Sequence, residues 1–241
     1  MNIRRCFTVV CTTALLTSAT GITAQANKSD TPNVSDGFVK VESHQLDAVY
    51  LLPGTDFRGY TKVLLDQGQV EFRNDWIKEI NRSTRELSNR IGAEDAKQFA
   101  EEARASFGET FGRAIKDAGY DIVTAQGADV LRLTPRVVDM YINAPDKLTT
   151  ALRTRVFTVA AGEATLVLEI RDSTTGTLLG HATDRRTAVR YGGNRVSIAS
   201  SVSNRGDFED LFGIWAQLCV EVFKELKAQP PAELSRHAAT Q

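Results

Sequence analysis

Cysteine is nearly absent from this chain of 241 residues: there are three, and Cys6 and Cys11 both lie close to its start. Cys219 stands alone in the remainder, so no disulfide can close within the body and packing must hold it. Histidine is equally scarce, with three residues. His44, His181 and His237 stand far apart, and neither His-x-x-x-His nor Cys-x-x-Cys spacing occurs, which removes the local zinc motifs. No apolar run reaches the ~20 residues of a membrane-spanning helix. Nor does either charge prevail, with 29 Lys and Arg against 30 Asp and Glu; that balance argues against nucleic acid or anionic lipid as the main partner. A Gly-x-Ser-x-Gly elbow, a Ser-x-x-Lys in a credible context and an acidic calcium loop are also missing. Tyr191-Gly192-Gly193-Asn194 follows a strand pattern, but no Lys-Ser or Lys-Thr completes a phosphate loop.

What is present begins with an export signal. Arg4 and Arg5 precede an apolar stretch from Phe7 to about Leu16, and Ala24-Gln25-Ala26 supplies the small-x-small pattern a signal peptidase accepts. Cleavage after Ala26 leaves about 215 residues, enough for one domain. It also removes two arginines and no acid, so the formal charge moves from −1 to −3. Cys6 follows Arg5 and Cys11 follows Val10, neither in the setting of a lipidation cysteine. The expected product is free in the periplasm, or secreted, with no transmembrane segment.

Residues 27–43 read as a flexible polar leader and residues 229–241, opening near Pro230-Pro231, as a disordered tail. Between them, residues 44–228 are expected to form a single α+β domain: a twisted, mostly antiparallel sheet with two main amphipathic helices packed on one face. The first clear strand spans Tyr60–Phe72. Residues 76–90, with Trp76, Ile77, Ile80 and Leu87 among charged neighbours, allow a short helix or an ordered loop. From Glu94 to Ala118 an apolar stripe of Phe99, Ala103, Phe107, Phe111, Ala114 and Ile115 recurs at helical spacing. Gly119 follows as the stop. Gly108 and Gly112, four apart, offer a face for close packing.

Strand patterns follow at Tyr120–Ala125, Ala128–Ile142, Leu152–Ala160, Glu163–Asp172 and Thr177–Tyr191. The last two flank Ser173-Thr174-Thr175-Gly176, the best-defined hairpin turn. A bulge at Gly176 sets Leu178, Gly180 and Ala182 opposite the core-facing Leu166, Leu168 and Ile170, and leaves His181 in water. A final helix, from Phe208 to Lys227, carries Leu211, Phe212, Trp215, Leu218, Cys219, Val222 and Leu226 at steps of three and four. Asn204 is its expected cap, and Cys219 a small buried hydrophobe.

Two local features invite a functional reading. Asp184-Arg185-Arg186 lies at the far end of the hairpin, where it is either an ion pair closing the sheet or a spot that binds an anion or partner. Tyr141-Ile142-Asn143-Ala144-Pro145-Asp146 is an extended run broken by proline, with Tyr141, Asn143 and Asp146 as possible recognition residues. The adjacent carboxylates Glu101-Glu102 and Glu209-Asp210 fit solvated helix faces. No catalytic residue, cofactor site or metal site is indicated.

Several ordered blocks resemble a Gram-negative envelope family known as domain of unknown function 3313. Tyr60-Thr61-Lys62-Val63-Leu64-Leu65-Asp66 is similar to its opening strand. Gly127-Ala128-Asp129-Val130-Leu131-Arg132-Leu133 with Tyr141–Asp146 is similar to its middle section. Leu168–Gly176 with Asp184-Arg185-Arg186 is similar to its close. The resemblance covers most of residues 45–226. It implies an exported domain, often lipid-anchored in relatives, with no catalytic residue to carry over; this chain departs from the anchored members in lacking the lipidation cysteine. The expected function is a non-enzymatic periplasmic binding or accessory protein whose partner is an envelope protein or cell-wall component. The alternatives are a carrier of a small apolar or anionic ligand near Asp184, Arg186 and Tyr141, and, more remotely, a carboxylate-based hydrolase.

Overall fold

The described elements run β1 (Val39–Val41), β2 (Ala48–Leu51), β3 (Lys62–Leu65), β4 (Gln69–Phe72), α1 (Trp76–Ser83), α2 (Ala93–Asp117), β5 (Asp121–Ile122), β6 (Val130–Ile142), β7 (Val156–Thr158), β8 (Gly162–Asp172), β9 (Leu178–Ala188), β10 (Ser197–Ala199) and α3 (Ser201–Ala228). They come from a computed structural model that describes residues 37–84, 87, 90–143, 156–158, 162–188, 197–199 and 201–229. Residues 1–36 and 230–241, and with them the signal, most of the leader and most of the tail, lie outside the described residues. So do Asp146 and Tyr191–Asn194.

The main sheet has eight strands in the order β1-β2-β9-β8-β6-β3-β5, with β4 joining β6 beyond β3. From β1 to β6 every pairing is antiparallel. The far side departs from expectation, because β3 and β4 run parallel to β6 and β5 runs parallel to β3. The chain between β3 and β5 contains α1 and α2, a crossover long enough for the parallel return that no tight turn could make. β7 and β10 pair apart from this sheet.

The stretch read as one strand, Tyr60–Phe72, is two segments that both line β6. Between them the Asp66 amide donates to the Leu133 carbonyl at 2.9 Å. There Gly68 passes so close to α2 that a Cβ would meet Phe107 Cδ1 at 2.7 Å. At the other edge, β1 falls inside the stretch read as leader, so the sheet begins earlier than its polar surroundings indicate.

The hairpin has the expected register at Leu168↔Ala182 and Ile170↔Gly180. Gly176 adopts φ +71°, but the extra residue sits between the Ile170 and Arg171 pairs, so Leu179 rather than Leu178 enters the core. His181 is not in water. It is 2 % exposed, because β2 pairs with β9 and lays Tyr50 against its ring at 4.7 Å. Gly180 permits that approach: a Cβ there would lie 2.8 Å from the Tyr50 carbonyl oxygen.

All three helices contribute to the core on one side of the sheet. Phe107, Phe111 and Ile115 of α2 meet Phe208, Leu211, Phe212 and Trp215 of α3, Trp76 of α1, and Val63, Val137, Met140 and Leu166 of the sheet. A second group joins Val49, Leu51, Phe57, Leu168, Ile170 and Leu179 to Val222 and Leu226. Burying each such large side chain stabilises by about 1.5–3 kcal/mol. The polar stretch after β4 resolves as helix α1, anchored by the Trp76 indole N–H donating to the Ile142 carbonyl at 3.0 Å.

In α2, Asp95 accepts from the Gly92 amide at 2.7 Å, and Gly119, at φ +88°, ends the helix as expected. A Cβ on Gly108 would meet nothing within 4 Å and one on Gly112 would make only ordinary contact, so the pair marks no close crossing. α3 starts at Ser201, which puts Asn204 inside the helix instead of at its cap.

Candidate functional site

The alternation of β8 and β9 separates two polar systems. Leu166 pairs with Asp184, so Asp184 shares the helix-facing side of the sheet, where it is 2 % exposed. Its Oδ2 accepts from the Trp215 indole N–H at 2.8 Å and from Arg186 Nε at 2.5 Å. Its Oδ1 accepts from the Asp47 amide at 3.2 Å, while Arg186 Nη2 donates to the Gln45 carbonyl at 2.8 Å. The core therefore does not give out at Asp184; α3 covers it with Trp215. The ion pair sits in the middle of β9, not at the end of the sheet, and it ties β9, the loop before β2 and α3 together.

Arg185 points the other way. Its Nη2 donates to Glu163 Oε1 at 2.8 Å, and its amide donates to Asp47 Oδ2 at 2.8 Å. Glu163 pairs with Tyr141, and Arg73 Nη1 stands 3.5 Å from Glu163 while its guanidinium lies 4.4 Å above the Tyr141 ring. Arg73 also bonds Asp75 at 2.6 Å and Glu79 at 2.5 Å. Burial, then the Glu79 charge, pushes the Tyr141 phenol above its ordinary value. Tyr141 reaches this face because β6 bulges at Asp139, whose φ of 52° resets the alternation.

Asp184 and Arg186 thus lie on one side of the sheet and Tyr141 and Arg185 on the other, so the expected residues do not converge on one pocket. Asn143 is exposed at the end of β6. Sequence reasoning missed Asp47, Arg73, Glu163 and Trp215, which complete both systems. No local signal marks them, since Asp47 and Trp215 reach Asp184 across 137 and 31 residues.

The outer face continues as a field of charge pairs. Asp66 accepts from Arg132 Nε at 2.8 Å and from the Thr134 hydroxyl at 2.5 Å, and Glu169 accepts from Arg171 Nη2 at 2.8 Å. Thr165, Thr183 and Thr187 lie on the same face, together with Val167, which pairs with Thr183 and is 2 % exposed.

At the sheet end, Asp172 accepts from the Thr174 and Thr175 amides and from the Tyr60 hydroxyl, which holds its carboxyl below the usual range. Ser173 exchanges two hydrogen bonds with the Gly127 backbone. The blocks around Tyr60, Gly127 and Asp172 are thus one interlocked turn. Burial, with help from the Asp184 charge, pushes the Cys219 thiol up to about 12, which suits a packing role.

Among the described residues, no three His, Cys, Asp or Glu side chains are placed to hold a metal, and no helix is long and apolar enough to cross a membrane. Asp56, Asp75, Asp129 and Asp172, the described carboxylates whose titration is displaced, all shift downward. Downward shifts keep these carboxylates ionised at neutral pH, as hydrogen bonds and cationic partners stabilise the anion. Two open grooves of about 530 and 370 Å³ follow the α2–α3 seam, lined by polar residues such as Glu109, Arg113, Asp210 and Gln217.

A family model described as Protein of unknown function (DUF3313) matches residues 28–219. Comparison with curated proteins finds no match. Among solved structures, the PelC dodecamer from Paraburkholderia phytofirmans is similar at 13 % identity and a TM-score of 0.31, covering 69 % of this chain and 95 % of that one. A neuraminyllactose-binding hemagglutinin homolog from Helicobacter pylori matches at 12 % identity and 0.34, over 78 % and 94 %. Protein XCC0632 from Xanthomonas campestris, of family DUF330, matches at 11 % and 0.35, over 72 % and 90 %. Likeness at this level assigns neither fold nor role to the chain.

Proposed function

The chain belongs to the family Protein of unknown function (DUF3313), and we propose that it is a non-enzymatic binding or accessory module of the cell envelope, exported and cut near Ala26. The observation that carries this reading is the outer face of the sheet. It carries paired charges and threonines along β6, β8 and β9, and is backed by a helix-covered core. Exposed ion pairs contribute little to stability, typically about 0–1 kcal/mol. A face built from them suits recognition, because complementary charges select partners and set orientation more than they add affinity. The Arg185–Glu163–Arg73 chain with Tyr141 offers a partner both forks and an aromatic edge.

A photo-crosslinking residue placed at Thr187, exposed on this face, is expected to capture one discrete envelope component in living cells. The same residue at Gln217 on α3 is expected to capture none. No captured species from position 187, or equal capture from both, overturns the reading. Sequencing the natural product from its N-terminus tests the export step, and a start at Met1 defeats it.

A further inference from the structure

One buried titratable group takes no part in the surface just described. His181 sits in the middle of β9 on the outer side, yet it is 2 % exposed, and its Nδ1 is a buried atom with no hydrogen-bond partner. Among the described residues, two aromatic rings from the N-terminal segment stand against it. The Tyr50 ring of β2 stacks on the imidazole at 4.7 Å and 5°, and Phe38, just before β1, meets it edge-on at 6.1 Å. β1 is the edge of the sheet and β2 is its only described partner there, so β9 is what holds this pair in place.

We propose that the Phe38–His181–Tyr50 stack is an acid-sensitive latch that holds the β1–β2 pair on the sheet. A second proton on the imidazole converts its unpartnered acceptor into a buried donor, which costs free energy wherever no partner awaits it. Releasing β1–β2 exposes the ring to water and removes that cost. The charged groups facing the site are Glu169, opposite on β8 and engaged by Arg171, and Lys40 of β1, which pairs opposite Tyr50; β2 carries no charge. Lack of solvation outweighs the Glu169 charge and lowers the His181 value from its ordinary 6.5. A base with a lowered folded value gives stability that is full above the unfolded value and lost as pH falls toward the folded one. The latch therefore loosens on acidification below about 6.5.

Hydrogen exchange of the β2 amides, corrected for the intrinsic effect of pH, tests the latch in the full chain. Between pH 7.5 and 5.0 their protection is expected to fall by about threefold or more. In His181→Phe, which keeps the aromatic stack but cannot titrate, protection is expected to be the same at both values. Proton NMR, with His181 assigned by its loss in that variant, is expected to show titration below 6.5. Unchanged protection in the parent chain, an equal loss in His181→Phe, or titration of His181 at 6.5 or above each overturns the proposal.

Discussion

At the scale of single residues, burial separates two neighbours that look alike in sequence. Asp184 accepts from three donors under Trp215, whereas Arg185 makes its ion pair at the surface. Asp184→Leu leaves the indole N–H and Arg186 Nε without their shared acceptor and is expected to cost about 3 kcal/mol, read as a lower urea midpoint at unchanged slope. Arg185→Ala is expected to cost less than about 1 kcal/mol. Cys219 gives a second test. It is half-buried against both parts of the core, and with its thiol value raised to about 12 its native form is expected to resist alkylation at pH 8 and to react once urea unfolds the chain; rapid native labelling contradicts the raised value. The ion pair itself was legible in Asp184-Arg185-Arg186, but its burial was not. That burial depends on Trp215, which reaches Asp184 from the other end of the fold. The same holds for His181, whose exposure was misjudged because its cover arrives from Phe38 and Tyr50.

At the scale of elements, periodicity decided what could be read. α2 and the body of α3 were legible because Phe107, Phe111, Ile115, Leu211, Trp215 and Val222 repeat at one face. β8 was legible because Ala164, Leu166, Leu168 and Ile170 alternate. β1 was not, since three residues inside a polar stretch carry no period. The break at residues 66–68 also escaped, although Gly68 lies there, where a Cβ would meet Phe107 of α2 at 2.7 Å. Glycines now divide by surroundings. Gly68→Ala drives a Cβ into Phe107 and is expected to destabilise by about 1–3 kcal/mol. Gly108→Ala, free of neighbours within 4 Å in a helix interior, is expected to stabilise by about 0.5–1 kcal/mol. Thermal unfolding of the two variants, shifting Tm in opposite directions, checks both.

At the scale of the whole molecule, the helices and sheet are inseparable. Apolar side chains of α3 enter both parts of the core, so a chain ending before Ser201 is expected to lose its near-ultraviolet dichroism while keeping some far-ultraviolet signal. Acid should act in a defined window. Asp129, held low chiefly by Lys62, and Asp172, held low chiefly by the Thr175 amide, have depressed folded values. Their stabilisation is present above the unfolded value and lost as pH falls through the folded one. In His181→Phe the urea midpoint is therefore expected to stay level from pH 8 to 5 and to drop below about 4. A steady decline across the upper range contradicts that assignment.

The order of strands has a consequence for how the chain is made. β2 must find β9, with Tyr50 opposite His181, and β3 must find β6, with Lys62 opposite Val130. Such high contact order means that β2 leaves the ribosome long before β9, and β3 long before β6, and loop closure delays their docking. The β1–β2 pair therefore has no sheet to join until β9 has been made, an order of events compatible with the export proposed above.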